Sequence, residues 1–299
     1  MISIIIPFYN EADNLNPLYR ELKEELEKIN EKYEIIFVDD GSTDEPVQKF
    51  KVHPANGGTN IKIIHHAKKL GKGQALVTGL KAAVGDIVIF MDADFQDDPA
   101  DIKKFLDKIN EGYDLVNGVR LKRKDNTIVK LYSNFGNRFL KSFVKSPFTD
   151  INCGFKAFKR SILDDLVIYG NNFRFLPLDA FYKGFKVGEV AVNNRSRLHG
   201  KSKFGSKKLF IGMIDTATAY FLFQFSERPL HFFGIAGGIF FSLGAIILII
   251  LAVERLFLGW LLYRRPILFL GLILVIVGVQ IVMTGMLGEL IVYLDKRKK

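Results

Sequence analysis

Ile87-Val88-Ile89-Phe90-Met91-Asp92-Ala93-Asp94 is an apolar run that ends in two carboxylates one residue apart. The uncharged, β-branched run reads as a buried strand. Side chains alternate along a strand, so Asp92 and Asp94 point to the same face just beyond the sheet edge. Hard oxygen ligands in that position suit Mg²⁺ or Mn²⁺, which could neutralise a diphosphate. Acidic residues after a strand are also common helix N-caps, and Asp97-Asp98-Pro99 downstream fits that second reading.

Working outward, the chain alternates strands and helices. Ile2-Ser3-Ile4-Ile5-Ile6 is a short strand broken by Pro7, and the amphipathic stretch from Asn14 to Glu31 follows it. A second strand, Glu34 to Val38, runs into Asp39-Asp40-Gly41-Ser42-Thr43-Asp44; a third, Ile61 to Ile64, precedes a helix opened by Gly71-Lys72-Gly73-Gln74. This spacing predicts an α/β fold with a mostly parallel sheet that binds ligands outside the carboxyl ends of its strands. Pro7 to Glu11, Asp39 to Asp44 and Asp92 to Gln96 all fall at such ends. Gly71-Lys72-Gly73 is neither a P-loop nor a dinucleotide fingerprint, so any nucleotide must be held by carboxylates and metal. Asp39 or Asp40 is suited to a base or ribose hydroxyls, with an ordinary turn as the alternative. Lys72, opening a helix whose N-terminus favours anions, is placed to approach a diphosphate.

After Glu227-Arg228-Pro229 the composition changes. Phe232 to Val253 is 22 residues without a charge and Pro266 to Gly288 is 23 more. Each is long enough to cross a hydrocarbon core of roughly 30 Å at about 1.5 Å per residue. The expected organisation is a soluble domain over 1–205, a juxtamembrane amphipathic segment over 206–228, and over 229–299 a two-helix transmembrane hairpin (about 232–253 and 266–288) with a basic tail. Two spans return the chain to its starting side, and no basic-then-apolar signal precedes the first strand. Lys296-Arg297-Lys298-Lys299 favours the cytoplasmic face by the positive-inside rule, while Arg255, Arg264 and Arg265 in the hairpin loop oppose it weakly. A single cysteine, Cys153, excludes an intrachain disulfide. The net charge of +10 raises the question of nucleic acid, but no nucleic-acid motif is present. The basic stretch from Asn194 to Lys208 abuts the membrane segment, so anionic headgroups and a lipid phosphate are the better partners. Gly234, Gly237 and Gly238 allow close helix packing, which admits a homo-oligomer.

Taken in order, Pro7-x-Tyr9-Asn10-Glu11, Asp39-Asp40-Gly41-Ser42-Thr43-Asp44, Gly71-Lys72-Gly73, Asp92-Ala93-Asp94-x-Gln96, Asp150-x-x-Cys153-Gly154-Phe155-Lys156 and Gly200-Lys201-Ser202-Lys203-Phe204 resemble the family 2 glycosyltransferases. With the apolar tail, the resemblance is to the polyprenyl-phosphate group, which contains dolichyl-phosphate mannose and glucose synthases and bactoprenol glucosyltransferases. It implies a GT-A, Rossmann-like catalytic domain, a UDP- or GDP-linked nucleotide-sugar donor, a divalent metal, inversion at the anomeric carbon and an undecaprenyl or dolichyl phosphate acceptor. On that resemblance Asp92, Asp94 and Gln96 hold the metal. Pro7, Tyr9, Glu11, Asp39, Asp40, Ser42, Lys72, Asp92 and Gln96 surround the donor. Asp94 and Asp150 are catalytic, and Arg120, Arg197, Ser202 and Lys203 bind the acceptor phosphate.

The chemistry of that acceptor shapes what the site must supply. A phosphate monoester with a second pKa of about 6 is largely ionised near neutrality, so it needs positioning more than a strong base. Guanidinium forks match phosphate oxygens, which nominates Arg120 and Arg197; a solvated basic face is the alternative. Asp150 is a base or orienting carboxylate on the resemblance and a turn or cap residue on local grounds. His65-His66 has no partner at metal-ligand spacing. A processive polysaccharide synthase would carry Gln-x-x-Arg-Trp, whereas the only tryptophan here, Trp260, lies in the hairpin loop. A non-enzymatic membrane scaffold would not need Asp92, Asp94 and Gln96 together.

Overall fold

The computed structural model describes residues 1–44, 60–120, 147–166, 172–195, 227–259 and 266–298, with single positions 168, 170, 218, 221, 222 and 225. The chain divides into two compact units, Met1–Ala219 and Tyr220–Lys299.

In the first unit, β1 (Ile2–Phe8), β2 (Tyr33–Asp39), β3 (Ile61–His65), β4 (Ile87–Phe90), β5 (Leu115–Arg120), β6 (Lys156–Lys159) and β7 (Val187–Val192) form one sheet in the order β3-β2-β1-β4-β6-β5-β7. All neighbours run parallel except β6, which lies antiparallel to both β4 and β5. Every residue of β1 is buried, as a central strand covered on both faces requires. Ile2, Ile4, Ile6 and Phe8 face the leucine stripe Leu15, Leu18, Leu22 and Leu26 of α1 (Ala12–Ile29) and the apolar side of α3 (Ile102–Asn110). Ile5 points the other way, toward Ala75 and Leu76 of α2 (Lys72–Ala82) and Leu176 and Ala180 of α4 (Leu176–Tyr182). The result is a three-layer α/β/α sandwich. At Gly79 in α2 an added Cβ would collide with the Ile5 side chain, so this helix lies as close to the sheet as a glycine permits.

β2, β3 and β4 agree with the sequence expectation to within a residue at each end, whereas β1 continues through Pro7 to Phe8, two residues past the expected end at Ile6. The sheet is mostly parallel, as expected; its one antiparallel strand, β6, follows the segment that begins at Asp150 and lies between β4 and β5. Its partners are fixed by sheet order and not by local pattern.

In the second unit, α5 (Pro229–Leu258) and α6 (Pro266–Lys298) extend well beyond the uncharged cores seen in the sequence. Both are long and apolar enough to cross a membrane, and most of their large apolar side chains, Ile235, Ile249, Phe269 and Ile291 among them, are exposed in the absence of one. That exposure separates them from core helices of a soluble protein. They pack along a seam of glycines, and Glu289 accepts a hydrogen bond from the Leu230 N–H at 3.2 Å, capping the start of α5.

Candidate active site

Brought together at the carboxyl ends of β1, β2 and β4 is a cleft of about 240 Å³. Its lining includes Pro7 near the end of β1, Tyr9 and Glu11 after it, Asp40 after β2, Lys72 at the start of α2, and Asp92 and Asp94 after β4. This is the crevice where β1 is flanked by strands entered in opposite directions, the usual ligand position in open α/β sheets.

Asp92 and Asp94 sit on a constrained turn. Phe95, buried, holds φ at 65°, a left-handed value rare for a bulky residue. The Gln96 N–H donates to Asp94 Oδ1 at 3.2 Å, and the Asp92 N–H donates to Asp97 Oδ2 at 3.0 Å. Asp98 caps the next turn by accepting from the Ala100 N–H, with Pro99 at its first position, so the capping alternative holds for Asp98 and not for Asp92 or Asp94. Lys72 donates to Asp92 Oδ1 as a close ion pair. Burial works against an ionised Asp92, but Lys72, with help from Arg120 and Lys156, outweighs it and holds the carboxyl below its ordinary range. Asp97 behaves oppositely: burial, then the charges of Asp92 and Asp94, push it up to about 7.

Other donor-side residues are spoken for by the fold. Asp39 accepts from the Ser42 N–H at 2.8 Å and pairs with His65 Nδ1 at 3.0 Å. Asp40 accepts from the Leu70 and Gly71 N–H groups at 2.8 and 2.9 Å, clamping the loop that starts α2, and meets His66 Nδ1 at 3.2 Å. Ser42 Oγ accepts from the Asn10 N–H at 2.9 Å, latching the β1 and β2 loops. Asp39, Ser42 and Gln96 do not line the cleft. The two histidines are satisfied by carboxylates and Thr78, in keeping with their lack of ligand spacing.

Beside the Asp92 turn lies the turn that begins at Asp150. Arg120 grips Asp150 with both arms of its fork, Nε to Oδ2 at 2.7 Å and Nη2 to Oδ1 at 3.0 Å. Its guanidinium is therefore held by Asp150 and not left facing solvent. Burial opposes the charge on Arg120, but Asp150 more than offsets it and raises its pKa. Gly154 packs on Asp92: a Cβ there would stand 3.0 Å from Oδ2. Cys153 is no nucleophile, because burial and then the charge of Asp97 push its thiol up to about 12. Arg195, first arginine of the basic stretch, pairs with Glu21 and Asp98, each at 2.6 Å. Arg197, Ser202 and Lys203 lie outside the described residues.

Lys69, Gly154 and Lys156 in this neighbourhood have no individual role in the sequence expectation, and Asp97, expected with Asp98 at a helix cap, serves the Asp92 turn instead. Lys69 lies over the Tyr9 ring at 3.5 Å. Asp97 supports the Asp92 backbone, Gly154 admits the Asp92 carboxylate, and Lys156 is wholly buried. The motif Asp150-x-x-Cys153-Gly154-Phe155-Lys156 signalled Gly154 and Lys156, and nothing in the sequence signalled Lys69.

Comparison with known proteins follows the same lines. The chain is 30% identical over 294 residues to dodecaprenyl-phosphate galacturonate synthase of Rhizobium johnstonii, covering 97% of this chain and 87% of that one. It is 30% identical over 302 residues to the undecaprenyl-phosphate 4-deoxy-4-formamido-L-arabinose transferase of Enterobacter sp., covering 100% and 90%. Among solved structures, glucosyl-3-phosphoglycerate synthase of Mycobacterium tuberculosis, in complex with Mn²⁺, UDP-glucose and phosphoglyceric acid, superposes with a TM-score of 0.56 at 18% identity over 74% of this chain and 79% of that one. That likeness establishes the GT-A fold of the first unit. Residues 3–167 match the model of glycosyl transferase family 2, and with relatives aligned over almost their whole length the chain belongs to that family and is a glycosyltransferase.

Proposed function

We propose that this chain moves a sugar from a UDP- or GDP-linked donor to a polyprenyl phosphate, with inversion, on the cytoplasmic face of a membrane. The observation that carries the reading is one chain with an acidic, lysine-bearing cleft at the sheet's carboxyl edge and two long apolar helices after it. Relatives named for dodecaprenyl- and undecaprenyl-phosphate support the acceptor class. The domains follow the same division, with catalysis over 1–205 and anchoring over 229–299.

The residues present fit a divalent cation. Among the described residues no three His, Cys, Asp or Glu side chains form a metal cage. Two carboxylates completed by substrate phosphate oxygens are the usual way Mg²⁺ is held. Asp92 and Asp94 would hold Mg²⁺ or Mn²⁺, with Gln96 on the same turn, and the ion would neutralise the donor diphosphate as the nucleoside diphosphate leaves.

The chain's own groups then have distinct tasks. Lys72, now on Asp92, is placed at the start of α2 to meet the diphosphate. Tyr9 and Lys69 offer an aromatic face and a cation at the cleft mouth. Asp150, oriented by Arg120, directs the acceptor oxygen to the anomeric carbon. A bond forms from phosphate oxygen to that carbon on the face opposite the departing diphosphate, whose bond to the sugar breaks. Because the acceptor is already ionised, no strong base is required. Arg197, Ser202 and Lys203 would hold its phosphate.

Membranes bearing the full chain, incubated with labelled nucleotide sugars and a short polyprenyl phosphate and then extracted with organic solvent, should yield labelled lipid in a metal-dependent manner. Asp94→Asn should lower transfer by roughly 10²-fold or more. Undiminished transfer under excess chelator, or by Asp94→Asn, would refute the reading.

A further inference from the structure

Lys156 is the one buried lysine or arginine among the described residues of the first unit. It lies in the middle of the sheet on β6 with no exposed surface, yet it is a lysine. Burying an ammonium is costly unless it is well paired. Its partners are backbone carbonyls: Nζ donates to Ile151 O at 3.2 Å and, at closer range, to Cys153 O. Burial pulls its pKa down to about 8, so the fold tolerates it at a cost. Directly opposite in register, on β5, stands Asn117, itself wholly buried. Asn117 Nδ2 donates to Asp150 O at 2.9 Å, while its Oδ1 finds no partner among the described residues.

The three carbonyls so held belong to one turn, Asp150 to Cys153. That turn presents Asp150 to the Arg120 fork and then passes, through Gly154, against the Asp92 carboxylate. Helix and sheet bonds do not fix it: its one internal backbone bond is Cys153 N–H to Asp150 O at 3.3 Å. A hydrophobic residue at position 156 would fill the strand without the burial cost. The lysine makes sense as a pin that reaches from β6 back along its own chain.

Building on the site reading above, we propose that Lys156, with Asn117 across from it, is a positioning residue that fixes the 150–154 turn so that Asp150 and Gly154 meet the reacting centre in register. It touches no substrate and acts through Asp150. Loss of the pin should therefore impair the chemical step more than donor capture, since Pro7, Tyr9, Asp40 and Lys72 stand on other elements.

The test compares Lys156→Met, Asn117→Leu, Asp150→Asn and the doubles Lys156→Met/Asp150→Asn and Asn117→Leu/Asp150→Asn in the full-length, detergent-solubilised enzyme. Folding is monitored by thermal unfolding. We expect each pin variant to lower kcat at least tenfold with the donor KM changed less than threefold, and each double to be no slower than Asp150→Asn alone. Wild-type kcat in a folded pin variant, or effects that multiply with Asp150→Asn, would overturn the proposal, as would a donor KM rising in step with the loss of kcat. Should Lys156→Met fail to fold, Asn117→Leu and its double carry the same comparison, because that change alters no charge. Wild-type kcat in Asp150→Asn would instead bring down the site reading, and the Lys156 assignment with it.

Discussion

At the scale of single residues, the first unit holds its charges in pairs whose burial sets their value. Glu34 is 3% exposed and is met by Ser3 Oγ at 2.5 Å, the Val84 N–H at 2.7 Å and Lys62 at 2.9 Å. Burial opposes its charge, but these three partners prevail and its carboxyl lies below its ordinary 4.5. A carboxyl depressed in the folded state adds stability that is fully present above pH 4.5 and is lost as pH falls through the lower folded value. Glu34→Gln keeps the shape but not the charge, and because Lys62 is half-exposed the cost should be about 1 kcal/mol near neutrality. Its thermal midpoint should also fall less than wild type's between neutral and acid pH. Parallel acid limbs for the two proteins would show that Glu34 carries no such linkage. The same logic of paired charge explains Arg120: its fork is suited to phosphate in the abstract, but the Asp150 carboxyl within reach claims it first.

At the scale of elements, what was legible in the sequence was what is local. Ile87 to Asp94 announced a strand ending in carboxylates, and the amphipathic stretch from Asn14 to Glu31 announced a helix, whose buried face is Leu15, Leu18, Leu22 and Leu26. The placement of β6 was not legible, because strand order depends on contacts far apart in the chain; with it went the burial of Lys156, which follows from β6 lying between β4 and β5. Asp39 and Asp40 were likewise readable as acidic turn residues, but their engagement with residues 65 to 71 requires the third dimension. The glycines of the second unit show the same division. Gly237 and Gly278 face each other inside the hairpin, a Cβ on Gly278 falling 2.5 Å from Phe241 N and 2.8 Å from Gly237 O, whereas nothing lies within 4 Å of a Cβ on Gly238. Gly278→Leu should therefore force α5 and α6 apart and destabilise the hairpin by about 1–3 kcal/mol, while Gly238→Leu should stay within about 0.5 kcal/mol. Thermal unfolding in detergent distinguishes them, and equal losses would place the close seam elsewhere.

At the scale of the whole molecule, the question is why a glycosyltransferase domain with a complete sheet and cleft should carry two apolar helices of 30 and 33 residues. A long isoprenoid tail partitions into the bilayer, so its phosphate is presented only at the headgroup plane. An enzyme tethered to the same membrane meets that phosphate at an effective concentration no free domain attains. A chain ending at Ser226 should still bind donor nucleotide, because the cleft residues all precede that point, yet transfer to long polyprenyl phosphates in vesicles should fall at least tenfold, the lower end of common avidity gains being about 10². Transfer to a short, water-soluble polyprenyl phosphate should fall much less. A chain ending at Asn194 should do worse on both acceptors, since it loses the proposed phosphate-binding stretch and also Arg195, whose pairs with Glu21 and Asp98 tie β7's end to the turn after Asp94. The comparison is made by initial rates at equal folded protein, with nucleotide affinity measured alongside. If the Ser226 truncation turned over long-chain acceptor in vesicles at the full-length rate, the helices would have to serve assembly or product movement, and tethering would be excluded as the reason they are there.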